Sequence, residues 1–302
     1  MPQPPEPCVA TVMARKGRNE IGAPRLAALA AVLPGAGAPD WLDPGQAVDI
    51  PFTAAPADLP SLRAALAEAL AGEAVDAVLQ PAAGRRKRLL LADMDSTMIH
   101  QECVDELADF AGLKAEVSAI TERAMRGEIA FEPALRERVA LLRGLPVDTV
   151  DRVLAERITL MPGGAALVRT MRAHGGYCAL VSGGFTLFTG AVAARLGFDE
   201  HRSNTLEIDG DRLAGTVTEP ILGREAKLDR LVALRGSRGL PRSAVMAVGD
   251  GANDLAMLGE AGLGVAFHAK PAVAAAAHAR IDHNDLDALL FVQGYRRSEF
   301  AS

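Results

Sequence analysis

Aromatic residues are scarce in this 302-residue chain: nine phenylalanines, two tyrosines and one tryptophan, 4% in all. Apolar residues nevertheless reach 49%, so a sizeable core is available and must be aliphatic. An Ala-, Leu- and Val-rich balance suits a helix-covered parallel sheet better than a sandwich. Cysteine is also rare. Cys8, Cys103 and Cys178 are odd in number and lack metal-type spacing, so no disulfide framework is expected and a reduced, cytoplasmic protein is the simpler reading. An excess of positive charge is missing as well. The net charge of −6 argues against general nucleic-acid binding, and the short "GRRKR" cluster at 84–88 reads as a solvated linker. No unbroken apolar run approaches the roughly 20 residues that a membrane span needs. "LAALAAVLPGAGAP" comes nearest and is interrupted at Pro34 and Gly35. "MPQPPEP" at the start has neither the basic nor the apolar region of a signal peptide. The expectation is a protein with no membrane partner.

What is present falls into two parts, as the length suggests. Residues 1–84 read as strand ("CVATVMA"), helix ("APRLAALAAVL"), strand ("AVDIPF"), helix ("LPSLRAALAEAL") and strand ("VDAVLQ"). That order suggests a small N-terminal α/β domain of ferredoxin-like type. From "RLLLADMD" onward, across 85–302, short apolar runs alternate with helical stretches, which predicts an α/β, doubly wound parallel sheet. Four amphipathic helical stretches over about 103–160 break the rhythm and predict a helical cap inserted between the first two strands of that sheet. The insertion must join the core near 99–103 and 158–163. "SNTLEIDGDRLAGTVTE" (203–219) alternates around an Asp-Gly turn and reads as a hairpin.

Three apolar runs end in polar clusters: "DMDST", "VSGG" and "GDGAND". A parallel sheet carries such endings to one edge, where open α/β sheets bind ligands. They supply Asp93, Asp95, Ser182, Asp250, Asn253 and Asp254. So many acids repel one another unless a cation neutralises them, and hard oxygen ligands favour Mg2+. On an extended chain Asp93 and Asp95 point the same way, so one can be a nucleophile while the other handles protons. Gly183 and Gly184 permit close backbone approach to an anion, and Lys227 can set a positive charge against a phosphoryl oxygen. Taken singly, "DxDST" is often a helix-capping turn, "SGGF" a strand-to-helix turn and Lys227 a solvated lysine. In this order, on matching strand ends, they point to one site.

The ordered set "DMDST", "VSGG", a later lysine and "GDGAND" resembles the haloacid dehalogenase (HAD) superfamily of aspartate-nucleophile phosphatases. Over "DMDSTMIHQECVDELADFAG", "ITERAMRGEIAFEPALRERVALLRGLP", "VSGGFT" and "VGDGANDLAMLGEAGLGVAFHAKP" the chain is similar to the bacterial phosphoserine phosphatases within it. That resemblance implies hydrolysis of O-phospho-L-serine through an aspartyl phosphate, the last step of serine biosynthesis. It implies Asp93 as nucleophile and Asp95 as acid and base. Asp93, the Asp95 carbonyl and Asp250 would hold Mg2+, with Asn253 and Asp254 orienting its surroundings. Ser182, the Gly183 amide and Lys227 would bind phosphoryl oxygens. In the cap, Glu102 would meet the substrate ammonium, Arg138 its carboxylate, and Phe131 would shield the site. A carboxylate and a guanidinium are the complements of an amino acid's two charges, so these assignments also make chemical sense. The first 84 residues would be a degenerate form of the family's amino-acid-binding, ACT-like domain, with homodimerisation or bare stabilisation as the alternatives. Two rival functions follow: a phosphotransferase or a phosphatase for another small amino-acid phosphate, and a non-catalytic amino-acid-binding regulator.

Overall fold

The computed structural model describes residues 4–15, 17, 20–125 and 128–301. Arg126 and Gly127, at the end of the second helical stretch expected in the cap, lie outside the described residues, as do the first three residues of the Pro-rich start.

The N-terminal unit runs β1 (Glu6–Ala14), α1 (Ala23–Val32), β2 (Asp40–Asp43), β3 (Ala47–Ala54), α2 (Leu59–Ala69), β4 (Val75–Pro81). Its sheet is antiparallel in the order β2-β3-β1-β4, with Ala10 opposite both Ile50 and Leu79. One strand was not legible: β2 is the four-residue "DWLD", too short and too acidic to show a period. Alternate residues of β1, among them Cys8, Ala10 and Val12, pack with Leu29 of α1 and Leu66 of α2. The other face is covered too. Met13, Leu42, Ala47 and Val78 belong to the core of the rest of the chain, which explains why "CVATVMA" is apolar without alternation.

The second unit begins with β5 (Leu89–Ala92). The cap follows as α3 (Cys103–Phe110), α4 (Lys114–Met125), α5 (Phe131–Leu141) and α6 (Asp148–Glu156). The chain then returns through α7 (Gly164–Ala173), β6 (Tyr177–Phe185), α8 (Thr186–Leu196) and β7 (Glu200–Asn204). A hairpin, β8 (Leu206–Asp209) and β9 (Arg212–Val217), precedes α9 (Arg224–Ser237), β10 (Val245–Gly249) and α10 (Leu255–Glu260). The chain closes with β11 (Leu263–Phe267), α11 (Pro271–Ala276), β12 (Ala279–Ile281) and α12 (Ala288–Val292). The six core strands are parallel in the order β12-β11-β10-β5-β6-β7. Period-2 alternation puts Leu89, Leu91, Val245 and Ala247 on one face, and Leu90, Ala92, Met246 and Val248 on the other. Helices cover both faces, so this is the doubly wound sheet that the sequence predicts.

The cap joins the core through two neck segments that pair with each other: Ile99 bridges Leu160, and Met161 N–H donates to the Met98 carbonyl at 2.9 Å. The β8–β9 hairpin belongs to the cap side, because Gly144 N–H donates to Leu213 O and Leu213 N–H to Leu145 O, each at 2.8 Å.

The reading of "GRRKR" as a solvated linker is corrected at two positions. Arg85 donates to Asp49 (2.5 and 3.0 Å), to Thr11 Oγ1 (3.1 Å) and to the carbonyls of Phe291 (3.0 Å) and Val292 (3.2 Å). It fastens the N-terminal sheet to α12. Lys87 is buried, and Nζ donates to the carbonyls of Gly84 and Ser243. Burial, with Arg85 adding to it, pushes its ammonium down to about 8. A charge run looks solvated until its partners, as far as 207 residues away, are in place.

Candidate active site

β5, β6 and β10 are adjacent, and the crossovers leave β5 in opposite directions. The site lies at their carboxyl ends, where a sheet of this topology opens a crevice. Asp93 follows β5. Its Oδ1 accepts from Met94 N–H at 2.7 Å, and its Oδ2 pairs with Lys227 Nζ at 2.7 Å. Asp95 does not continue the strand. It stands in a turn, with Ser96 in the left-handed region (φ 55°), and Ser182 Oγ–H (3.4 Å) and Cys103 N–H (3.1 Å) donate to its carboxylate. The i, i+2 argument for a shared direction therefore does not describe the backbone here. A tight turn brings Asp95 beside Asp93 instead.

Lys227, in the first turn of α9, also donates to Asp254 Oδ1 at 2.6 Å, and Gly251 N–H donates to Asp254 Oδ2 at 3.0 Å. Asp254 folds back so closely that a Cβ on Gly249 would meet its carboxyl carbon at 2.4 Å, so only glycine fits there. Asp250 accepts from Thr97 Oγ1 at 3.1 Å. Oxygens of Asp93, Asp250 and Asp254 all lie within 4.8 Å of one another.

The electrostatics follow from crowding. Burial, then Glu102 and Asp93, push the Asp95 carboxyl up to about 7. Burial and Asp93 raise Asp254 to about 7. Asp250 is raised by the same two causes. Burial alone would lower the Lys227 ammonium, but the carboxylates of Asp93 and Asp254 overcome it and hold the group well above its usual range. Glu102 opens into the cavity yet has protein on most sides. That desolvation raises its carboxyl, the Ser96 hydroxyl opposes the rise, and Asp250 adds to it.

Above this floor, a cavity of about 480 Å³ is lined by Asp93, Asp95, Ser182, Gly183, Asp250 and Asn253 below and by Glu102, Phe131 and Arg138 from the cap. Ser96 Oγ–H donates to Glu102 at 2.8 Å. Arg138 is half-buried, its Nε donating to its own helix at Ala134 O (3.3 Å), and no carboxylate pairs with it among the described residues. Burial lowers its pKa, against the pull of Asp105 and Glu102. Phe131 is 41% exposed and lies over Gly183. Lys227 and Asp254 do not line this cavity and are only 2% and 0% exposed, although Lys227 reaches the neighbouring cavity that shares Gly183 and Asn253.

The residues singled out in the sequence are thus brought together. Others arrive unannounced: Thr97 on Asp250, and Lys270 and Asp105 in the cavity wall. Lys270 could have been suspected, since "HAKP" follows the end of another parallel strand.

The family model for haloacid dehalogenase-like hydrolases matches residues 90–259, more than half of the chain and all three strand-end motifs. The chain belongs to the haloacid dehalogenase-like hydrolases. It is 44% identical to a phosphoserine phosphatase of Streptomyces coelicolor over 83% of its own length but only 61% of that relative's. It is 49% identical to a phosphoserine phosphatase of Polaromonas sp., over 67% of this chain and 88% of the relative. The fold resembles a HAD family hydrolase from Salmonella enterica serovar Typhi (TM-score 0.84, 29% identity, 95% of this chain and 98% of that one). It also resembles a phosphoserine phosphatase solved as a phospho-aspartyl intermediate analogue (TM-score 0.63, 37% identity, 68% and 98%). No helix among the described residues of this HAD hydrolase is long and apolar enough to cross a membrane, and its three cysteines are free and buried.

Proposed function

We propose that this HAD hydrolase is a magnesium-dependent phosphoserine phosphatase, releasing L-serine and phosphate from O-phospho-L-serine at the end of serine biosynthesis. One observation carries the reading: a single cavity has the carboxylates of Asp93, Asp95 and Asp250 on its floor, and the Glu102 carboxylate and the unpaired Arg138 guanidinium on its wall. Phosphoserine has a phosphate to place on the floor, and an ammonium and a carboxylate to place against Glu102 and Arg138. The relatives named phosphoserine phosphatase support the same substrate.

Asp93, aimed by Met94 N–H and Lys227, is the nucleophile. Its oxygen bonds to phosphorus as the bond from phosphorus to the serine oxygen breaks, leaving an aspartyl phosphate. Asp95 gives its proton to the departing serine oxygen, then takes one from the water that hydrolyses the intermediate. A carboxyl pushed up to about 7 can be found in either state at neutral pH, which suits this alternation. Ser182, Gly183 and Lys227 bind the phosphoryl oxygens, and Phe131 shields them from bulk water.

The acid cluster fits a hard divalent cation, since every donor is oxygen and the carboxylates outnumber Lys227. Asp93, Asp250 and the Asp95 carbonyl would hold the ion, with Asn253 and with Asp254, itself held by Lys227 and Gly251 N–H, orienting them. When bound, Mg2+ supplies charge neutralisation to the phosphoryl group. The N-terminal unit, locked through Arg85, is read as a buttress, and three buried free thiols suit a cytoplasmic setting.

The test is phosphate release from L-phosphoserine, phosphothreonine and p-nitrophenyl phosphate, each with magnesium and with chelator. We expect a strong, magnesium-dependent preference for phosphoserine. Activity without preference would overturn the cap assignment, and chelator-insensitive activity would overturn the metal. A new phosphoester formed in the presence of homoserine would make the protein a transferase.

A further inference from the structure

We infer that Asn204, at the end of β7, is a positioning residue that holds the phosphate-binding loop and the Lys227 helix in register. The inference rests on the phosphatase reading above and extends it to a residue outside the cavity. The β6–β7 ladder is regular from Ala179–Glu200 to Val181–Arg202, then breaks and resumes only at Phe185–Asn204. The interruption falls on Ser182, Gly183 and Gly184, the loop that faces the phosphoryl group. Gly183 therefore has no ladder partner on β7 for its carbonyl, and Asn204 Nδ2–H supplies one at 2.9 Å. The same amide group grips Leu222 as a peptide would: Leu222 N–H donates to Asn204 Oδ1 at 2.7 Å, and Asn204 Nδ2–H donates to Leu222 O at 3.2 Å. Leu222 lies in the irregular segment that enters α9, one turn before Lys227.

One side chain, 2% exposed, thus ties together the two segments that carry Ser182, Gly183 and Lys227. The chemistry requires an amide. Two carbonyls need donors and one N–H needs an acceptor, and the carboxylate of an Asp would set negative charge against both carbonyls. Phosphoryl transfer depends on placement at the ångström scale, so loosening this tie should be felt in phosphate binding rather than in substrate selection.

The matched control is Thr189, buried beneath the same strand, whose hydroxyl bonds His201 Nδ1 (3.0 Å) and Ser203 Oγ (2.8 Å) without touching the loop. Inorganic phosphate is titrated calorimetrically into the magnesium-loaded wild type, Asn204→Asp and Thr189→Val, and kcat and KM are measured with p-nitrophenyl phosphate and phosphoserine. For Asn204→Asp we expect phosphate affinity and kcat to fall roughly tenfold or more. The ratio of kcat/KM between the two substrates should stay at its wild-type value. Thr189→Val should lose thermal stability yet keep its phosphate affinity. Wild-type phosphate affinity in Asn204→Asp, or an equal loss in Thr189→Val, overturns the proposal. If Asn204→Asp does not fold, the smaller uncharged Asn204→Ser is held to the same criteria. A wild type that neither binds phosphate nor cleaves p-nitrophenyl phosphate sinks the phosphatase reading, and that failure shows in the wild-type arm alone.

Discussion

The floor of the cavity and its cap are built on opposite principles. On the floor each charged side chain is already committed: Asp93 to Met94 N–H and Lys227, Asp254 to Lys227 and Gly251, Asp250 to Thr97, Asp95 to Cys103 N–H. In the cap, Glu102 has one hydroxyl, Arg138 only its own helix, and Phe131 is partly exposed. Groups that stabilise developing charge work best when fixed beforehand, because no reorganisation is then needed during reaction. Groups that select a substrate are more useful when left waiting for it, because an unmet guanidinium discriminates by what fails to satisfy it.

The sharpest way to break this comparison is at the floor. Asp93→Asn replaces a carboxylate with a poor nucleophile, and we expect phosphate release to fall by roughly four orders of magnitude. Near-normal turnover would end the aspartyl-phosphate mechanism. Lys227→Met leaves Asp93 and Asp254 buried together without a counter-charge. We expect a stability loss of about 3 kcal/mol at pH 8, read by urea unfolding with chelator present. The loss should shrink at pH 6, since Asp254, raised by burial and Asp93 and no longer held down by Lys227, then takes up a proton more readily. A loss independent of pH would mean that the two acids do not share the lysine's charge.

In the cap, Arg138→Ala should raise KM for phosphoserine roughly 100-fold while leaving p-nitrophenyl phosphate nearly unchanged. Equal effects on both would remove the division of labour. The smallest effect should join the two regions. Asp95 is pushed up to about 7 by burial first and Glu102 second, so Glu102→Gln removes a like charge and lowers that pKa. Because Asp95 must be protonated to act as acid, the alkaline limb of kcat against pH, measured with p-nitrophenyl phosphate, should move to lower pH by roughly half a unit. The sign for folding runs the same way. A carboxyl whose folded pKa is raised stabilises most below its unfolded value of 3.8, and that contribution is lost as pH rises through about 7. No movement of the limb would mean that Asp95 and Glu102 are electrostatically independent.

Legibility in the sequence tracked the range of the interaction. Asp93, Ser182 and Asp250 could be read because apolar runs end at each and parallel strands align their ends. The four cap helices could be read from their periodicity. The short strand Asp40–Asp43 could not, since four residues carry no period, and its pairing with β3 comes from the sheet. Arg85 looked like solvated charge because its partners Asp49 and Val292 lie 36 and 207 residues away. Asn204 reads in the sequence only as part of the start of the 203–219 hairpin, whereas it ends β7, and nothing in "SNTLEI" tells that Gly183 lacks a ladder partner.

Local pattern and chemistry were therefore set by the sequence itself: a parallel sheet with helices on both faces, acids at its strand ends, an inserted cap, and Glu102 and Arg138 as the proposed complements to an amino acid's charges. Tertiary structure decided the rest. The turn at Ser96 puts Asp95 beside Asp93, Lys227 sinks beneath the floor between two carboxylates, and Arg85 leaves solvent to bind the two units together. The reason is physical. Periodicity records which face of an element is buried, whereas a hydrogen bond or an ion pair exists only when two groups distant in the chain meet in space away from water.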